Sequence, residues 1–212
     1  MQFPHFCCLI TRKLPTSLRM VKIMLAEKIT KIFTLNDIQY HNPSPAKITG
    51  ELAPPYEIDE IMLTFGDIFD CINQDGTIKP RWEIDQMGLA YLPFTIPLAA
   101  FPTIEVDKIY CHKKLIPIFT NVFQTLRERN LRPYVRSYGA CFSYRSKYND
   151  PRLSAHSWGI AIDLNPETNL PGSRGDMHPE IVEIFQSYGF EWGGNWKRKE
   201  KNPMHFQWCT GY

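Results

Sequence analysis

The sequence predicts an α+β domain in which a small antiparallel sheet has helices packed against it. Two observations support this fold class. Strand-like and helix-like runs follow one another irregularly, without the regular strand–helix–strand period of a parallel sheet. In addition, residues 160–164 (IAIDL) alternate as a strand does, whereas residues 178–189 (HPEIVEIFQSYG) have the spacing of a short helix.

The composition is typical of a globular protein with one main domain. The chain has 212 residues, of which 43% are hydrophobic and 22% charged, and this is enough for one sizeable core. A formal net charge of +2 gives no reason to expect nucleic acid as a partner. No apolar run approaches the ~18 residues needed to cross a bilayer, so no membrane span is predicted.

Cysteine usage and the N-terminus bear on where the protein is made. Six cysteines are scattered without a C-x-x-C pair, which predicts mostly reduced thiols in a protein made in the cytoplasm. The apolar piece at residues 3–10 (FPHFCCLI) lacks a preceding basic segment and a clear cleavage site, so no signal peptide is predicted. Two alternatives stay open: the protein starts at Met20 or Met24, or the residues before them form a loose tail. We expect a monomer.

The first half of the chain gives the weaker structural signals. Residues 1–45 are interpreted as an N-terminal arm with one helix at 24–35, and residues 46–212 as a single domain. From residue 106 to 129, apolar residues recur at three- and four-residue steps. This spacing predicts a helix that Pro117 kinks or splits in two.

The second half is more regular. Residues 132–146 predict a strand that leads into a loop, and the strand at 160–164 follows. After a long loop comes the helix at 178–189, with Pro179 near its first turn and a glycine at its end. Residues 204–209 (MHFQWC) predict a closing strand.

Asp163 stands in an apolar strand, where an unpaired buried carboxylate is very costly. A salt-bridge partner, several backbone donors or a metal ion would compensate its charge. His156 lies seven positions earlier, on the opposite face of a straight strand, but Gly159 between them permits a bend. In the closing strand, His205 points away from the face of its aromatic neighbours. Two imidazoles and one carboxylate, with a fourth position left to water, have the composition of a catalytic zinc site; a plain salt bridge is the alternative.

Three segments in order resemble one enzyme family. They are residues 154–165 (SAHSWGIAIDLN), 190–196 (FEWGGNW) and 203–208 (PMHFQW). Together they are similar to the zinc D,D-carboxypeptidases and L-alanyl-D-glutamate endopeptidases, which include VanY-like enzymes and phage endolysins. The family motif S-x-H-x-x-G-x-A-x-D fits at every defined position of the first segment, and the resemblance covers roughly residues 106–208. The matching residues are Ser154, His156, Gly159, Ala161 and Asp163.

The resemblance implies a fold, a metal and a substrate. The fold would be that of the DD-peptidases and hedgehog-like proteins, and the substrate would be the peptidoglycan stem peptides, which contain D-amino acids. His156, Asp163 and His205 would bind Zn²⁺. Arg145 matches the place of a substrate-binding arginine, with a surface salt bridge as the alternative. Ser154 would contact substrate or cap a turn.

One position departs from the family pattern. In the endolysins an aspartate three residues before the last histidine acts as general base, and this chain has Asn202 there. An amide cannot accept the proton of the attacking water. Glu191 is the nearest candidate in sequence for a substitute base, and a surface or hydrogen-bonded role is its alternative. Asn195 also stands where endolysins often carry aspartate.

These observations leave three functional hypotheses. The first is a zinc peptidase of cell-wall peptides that acts at the bacterial cell wall after a separate route of export. The second is a zinc-bearing wall-binding module that cleaves weakly or not at all because Asn202 replaces the base. In the third, the two histidines and Asp163 form only a structural metal site or a salt-bridge cluster in an interaction protein.

Overall fold

The computed structural model describes residues 52–73, 77–147, 150–197 and 200–212. The predicted arm at 1–45, with its helix, lies outside these ranges, and the division of the chain into arm and domain stays a prediction. Within the described ranges, no helix is long and apolar enough to span a membrane.

Helices are concentrated before the sheet and between its strands. The helices are α1 (Glu57–Phe65), α2 (Pro80–Gln86), α3 (Ile116–Glu128) and α4 (Pro179–Ser187). The strands are β1 (Met87–Leu98), β2 (Phe101–His112), β3 (Tyr138–Ala140), β4 (Ala161–Leu164), β5 (Glu191–Trp192) and β6 (His205–Gln207). Short 3₁₀ helices connect some of them, and one of these, Ala155–Trp158, precedes β4.

The six strands form one mixed sheet in the order β2-β1-β3-β4-β6-β5. The neighbours pair in antiparallel fashion except β1 and β3, which meet in parallel at Leu98 and Tyr138. The predicted α+β class is therefore confirmed, and the sheet differs from a purely antiparallel one at this single junction.

The prediction of a helix from residue 106 to 129 is wrong for residues 106–112. Residues up to His112 belong to β2, whose register against β1 includes Ile109 opposite Ala90. Ile109 and Cys111 are buried while Tyr110 between them is half-buried, which is the alternation of a strand. Helical spacing begins only after this strand. Pro117 lies in the first turn of α3, where backbone N–H groups have no acceptor within the helix. The lack of an N–H at this proline therefore costs no helical hydrogen bond, and Pro117 neither kinks nor splits the helix.

Predictions for the second half are confirmed with two changes. In residues 132–146 a 3₁₀ helix at Arg132–Tyr134 comes first, and the strand, β3, spans only Tyr138–Ala140. Helix α4 begins at Pro179 and ends just before Gly189, which has a φ of +90°. The closing strand is β6, and the strand at 160–164 is β4. Every residue of β4 is buried, so this strand is covered on both faces, whereas an alternating pattern is typical of a strand with one exposed face.

Aromatic packing against one face of the sheet leaves the opposite face for polar residues. Phe206 in β6 lies beside Ile162 in β4 and stacks on Phe185 of α4 with 4.3 Å between ring centroids. His205 and Gln207 alternate with Phe206 along β6 and therefore point to the other face. Helix α4 thus packs on the apolar side of these central strands.

Helix α1 supports the segment that precedes β4. The carbonyl of Gly66, just after α1, accepts a hydrogen bond from the indole N–H of Trp158 at 3.0 Å. The carbonyl of Phe65 lies 3.2 Å from Nε2 of His112, and burial lowers the pKa of this histidine to about 4. His112 is therefore a neutral packing residue. Residues around 57–66, which had no predicted role, hold the 3₁₀ helix in place.

Gly159 makes the bend that the sequence predicts. It ends the 3₁₀ helix Ala155–Trp158 with a φ of +66°. A Cβ atom here would lie 2.4 Å from Cε of Met87 and 2.9 Å from the backbone nitrogen of His112. Only glycine fits both the left-handed conformation and this close approach.

We predict that Gly159→Ala destabilises the fold more than a matched change at Gly172. Gly172 also has a positive φ, of +77°, but a Cβ there would meet nothing within 4 Å. The left-handed backbone should cost each variant about 1 kcal/mol, and overpacking should add about 2 kcal/mol at Gly159 alone. Urea unfolding of both variants measures the difference. Equal losses would contradict the close packing around Gly159.

Candidate metal centre

Asp163 and His205 face each other across two neighbouring strands. They are directly paired in the register of β4 and β6, so their side chains leave the sheet on the same side. Nδ1 of His205 lies 3.0 Å from Oδ1 of Asp163. Both side chains are largely shielded from solvent, with residue exposures of 5% for His205 and 9% for Asp163.

His156 reaches the same point from the 3₁₀ helix. Its Nε2 lies 3.2 Å from Oδ2 of Asp163 and 3.1 Å from Nδ1 of His205. The helix that carries it is capped by Ser154, whose hydroxyl accepts a hydrogen bond from the His156 N–H at 3.4 Å. The residue is completely buried. The bend at Gly159 therefore brings His156 to the Asp163 side of β4, as predicted.

The spacing of these three ligand atoms fits a zinc ion. His156, Asp163 and His205 form the one group of potential metal ligands found in the described ranges, with ligand atoms within 4.8 Å of one another. Ligands on tetrahedral zinc, with bonds of about 2.1 Å, are separated by about 3.4 Å. The two ring nitrogens are 3.1 Å apart, and each lies 3.0–3.2 Å from a different oxygen of Asp163, which is close to that value.

The chemistry of the group also favours a cation. Nδ1 of His156 lies 2.7 Å from the carbonyl oxygen of Cys141, so this nitrogen carries the proton and Nε2 presents its lone pair to the group. Burial raises the pKa of Asp163, but without a metal the protons that His156 and His205 share with the carboxylate outweigh it and hold the pKa well below its usual value. A bound divalent cation would replace these protons. An ionised carboxylate and an imidazole nitrogen without a proton both offer lone pairs, and these can bind a divalent metal ion.

The two predicted substrate-binding residues are joined by a backbone hydrogen bond. Arg145 is exposed, and its guanidinium pairs with no carboxylate among the described residues. Its backbone N–H donates to the Ser157 hydroxyl at 3.1 Å, and its carbonyl accepts from the Ser154 N–H at 2.9 Å. Arg145 is thus anchored next to the turn that carries His156. Ser154 is buried and caps that turn, which was the alternative to substrate contact.

Glu191 lies near the group but outside it. It pairs with Gln207 in the register of β5 and β6. One carboxylate oxygen accepts from the indole N–H of Trp196 at 2.6 Å, and the other from Nε2 of Gln207 at 3.4 Å. The structure therefore connects Glu191 to His205 through Gln207, while its role as a base stays a prediction.

Asn202 braces His205 through its backbone. Its carbonyl accepts from the His205 N–H at 3.1 Å, and its own N–H donates to the Gly193 carbonyl at 2.8 Å. The side-chain Oδ1 is buried and has no hydrogen-bond partner among the described residues. It is an acceptor that cannot take up a proton. Asn195 is exposed.

Sequence reasoning missed two contacts to the ring nitrogens that face away from the group. One is the Cys141 carbonyl, for which a sequence carries no signal because every residue has that oxygen. The other is Gln207, whose Oε1 lies 3.2 Å from Nε2 of His205. The signal for Gln207 was present, since it shares a strand face with His205.

Comparison with known proteins gives one match. A family model described as D-alanyl-D-alanine carboxypeptidase matches residues 148–208, which contain all three residues of the group and also Glu191 and Asn202. The match supports a relationship to the VanY-like carboxypeptidases at this coarse level and indicates a peptidase domain. No curated protein matches the chain, and no solved structure does.

We predict that zinc stabilises the protein through this group. At a free zinc concentration of 100 times Kd, binding to the folded state alone contributes about 2.7 kcal/mol. For a chain of this size the melting temperature should rise by about 5–10 °C. Differential scanning calorimetry with and without chelator measures the shift, beside the zinc content, which should be one per chain.

Two histidine variants supply the control for this experiment. His156→Ala should remove the zinc-dependent shift, whereas His178→Ala should retain it, because His178 lies outside the group and packs against Tyr134. A shift that survives in His156→Ala would contradict the proposed ligand set. If the group served only the fold, His156→Ala would lose stability equally with and without zinc.

Proposed function

We propose that the protein is a zinc-dependent peptidase that hydrolyses D-amino-acid-containing peptides of bacterial peptidoglycan. The observation that carries the proposal is the convergence of His156, Asp163 and His205 within a segment that matches a D-alanyl-D-alanine carboxypeptidase family. When bound there, zinc would polarise a substrate carbonyl and make water nucleophilic near neutral pH. Peptidoglycan stem peptides would be the partner, and the site of action would be the cell wall.

Arg145 is the proposed contact for the substrate. It is exposed, has no carboxylate partner among the described residues, and is hydrogen-bonded through its backbone to the turn that carries His156. A guanidinium binds a carboxylate with two parallel hydrogen bonds, and stem peptides carry free carboxylates. Ser154 contributes by fixing the direction of His156.

The chain differs from the family motif at the residue that would accept a proton from the attacking water. A general base must lie within hydrogen-bond reach of the water it activates. Glu191 is the base that the sequence predicts, although its oxygens accept hydrogen bonds from Trp196 and Gln207. Asn202 offers a buried acceptor oxygen that can orient a donor but cannot be protonated.

A specific observation also supports the second hypothesis, a wall-binding module with weak or no cleavage. Among the described residues, no further acidic side chain joins the group formed by His156, Asp163 and His205. Such a site retains zinc and can bind a peptide carbonyl and carboxylate. Without a proton acceptor, the rate of hydrolysis would be low.

We predict chelator-sensitive cleavage of purified peptidoglycan by the zinc-loaded protein. Release of D-alanine indicates a carboxypeptidase, and new amino groups without D-alanine indicate an endopeptidase. Chelator and His156→Ala should each abolish the release, and Arg145→Ala should mainly raise KM because it removes a contact to the substrate carboxylate. Cleavage that persists in chelator would contradict the proposal. One bound zinc with no cleavage would favour the binding module.

We predict that Asn202→Asp increases the rate of cleavage. A correctly placed general base contributes about 10²- to 10⁴-fold, so a gain of roughly 100-fold is expected if no other group fills the role. Asn130→Asp is the matched control, because it makes the same change at an exposed position outside the matched family segment and should leave the rate unchanged. If the unmodified protein cleaves at a measurable, chelator-sensitive rate and Asn202→Asp leaves that rate unchanged, another group already accepts the proton and the binding-module hypothesis is contradicted.

A further inference from the structure

Gln207 occupies a buried position behind one of the proposed zinc ligands. It lies two residues after His205 on the same face of β6, and its residue exposure is 1%. In the neighbouring strands it is paired with Ala161 on one side and Glu191 on the other. A buried amide of this kind has to place four hydrogen-bonding positions, two donors and two acceptors.

The surroundings of Gln207 determine which way its amide points. Three acceptors lie near Nε2: the carbonyl of Tyr212 at 3.2 Å, Oε2 of Glu191 at 3.4 Å and the carbonyl of Cys209 at 3.4 Å. If the amide were reversed, its oxygen would face three other oxygens without a proton between them. Nε2 therefore lies on this side, and Oε1 faces Nε2 of His205 at 3.2 Å.

This orientation fixes the tautomer of His205. Oε1 of an amide can only accept, so Nε2 of His205 must carry a proton to make the hydrogen bond. In the neutral ring, Nδ1 is then left with a free lone pair. Nδ1 is the atom that lies 3.0 Å from Asp163 and 3.1 Å from Nε2 of His156.

We propose that Gln207 is a positioning residue that holds His205 in the tautomer required for metal binding, and that Glu191 supports Gln207 and does not act as the general base. The inference rests on the proposed zinc site. Gln207 does for His205 what the Cys141 carbonyl does for His156. Ring nitrogens that face away from a metal commonly carry such partners, which orient the ligand and increase its basicity.

Glu191 and Trp196 complete the support for His205. Trp196 donates its indole N–H to Glu191 at 2.6 Å, and its ring lies 5.4 Å from the ring of His205 between centroids. Trp196, Glu191 and Gln207 thus surround the far side of the imidazole in one chain of hydrogen bonds. The negative charge of Glu191 attracts the amide N–H of Gln207 and keeps the amide oxygen directed at His205.

The zinc affinity of the full-length protein tests the role of Gln207. Gln207→Met keeps the approximate volume but removes the acceptor for the His205 N–H. We expect Kd for zinc, measured by competition with a chromophoric chelator, to rise about 10- to 100-fold. Gln186→Met removes an exposed amide from α4 and should leave Kd unchanged. A Kd for Gln207→Met within twofold of the unmodified protein would overturn the inference.

Glu191→Gln separates a positioning role from general-base catalysis. As a positioning residue, Glu191 should affect zinc binding, so Glu191→Gln should raise Kd several-fold and leave kcat at saturating zinc within about threefold. A base would show the opposite result, an unchanged Kd with kcat lowered about 10²- to 10⁴-fold. That second outcome would overturn the assignment of Glu191.

A spectroscopic measurement covers the case in which Gln207→Met does not fold. ¹⁵N NMR of the histidine rings in the zinc-loaded, unmodified protein should show a proton on Nε2 of His205. A proton on Nδ1 would overturn the inference. If Gln207→Met weakens zinc binding but the unmodified protein does not cleave peptidoglycan, the inference is supported and the proposed peptidase activity is contradicted. A protein that binds no zinc would contradict both.

Discussion

Nε2 of His156, Nδ1 of His205 and the carboxylate of Asp163 converge in the interior of the protein within 3.0–3.2 Å of their nearest neighbours in the group. All of these atoms present lone pairs, since both outer ring nitrogens are hydrogen-bonded to acceptor oxygens. Such an arrangement is unfavourable in a buried site unless a positive charge joins it. A divalent cation satisfies this requirement, and the local structure around the group serves to keep its atoms in place.

Tertiary contacts keep the three ligand atoms together. Asp163 and His205 are held by the pairing of β4 with β6, whose other face packs on α4. His156 depends on a 3₁₀ helix that the Ser154 cap begins and Gly159 ends. Trp158 fixes that helix to the carbonyl at the end of α1. The part of the chain that precedes the matched family segment therefore stabilises the proposed site.

Metal binding and proton transfer make separate demands on this site. The ligand group requires buried acceptors with fixed tautomers, and Cys141 and Gln207 provide the partners. Proton transfer requires a carboxylate near the attacking water. Asn202 makes the backbone contact that braces His205, but its side chain is an amide. Under the proposed function, a site of this composition would hold a metal and a substrate, and its rate of hydrolysis would depend on where a proton acceptor lies.

The sequence alone determined the local elements and the composition of the site. The alternation of residues 160–164, the helix that begins at Pro179 and the turn at Gly159 were predictable, because each depends on neighbouring residues. Strand β2 was not predictable in the same way, because the apolar residues in 106–112 also fit helical spacing and only their pairing with β1 identifies a strand. The same holds for Gln207 and Glu191, whose contacts with His205 and Trp196 arise only from strand register and packing. Tertiary structure decided these features because strand pairing brings together residues that are distant in sequence, and a local pattern carries no information about that partner.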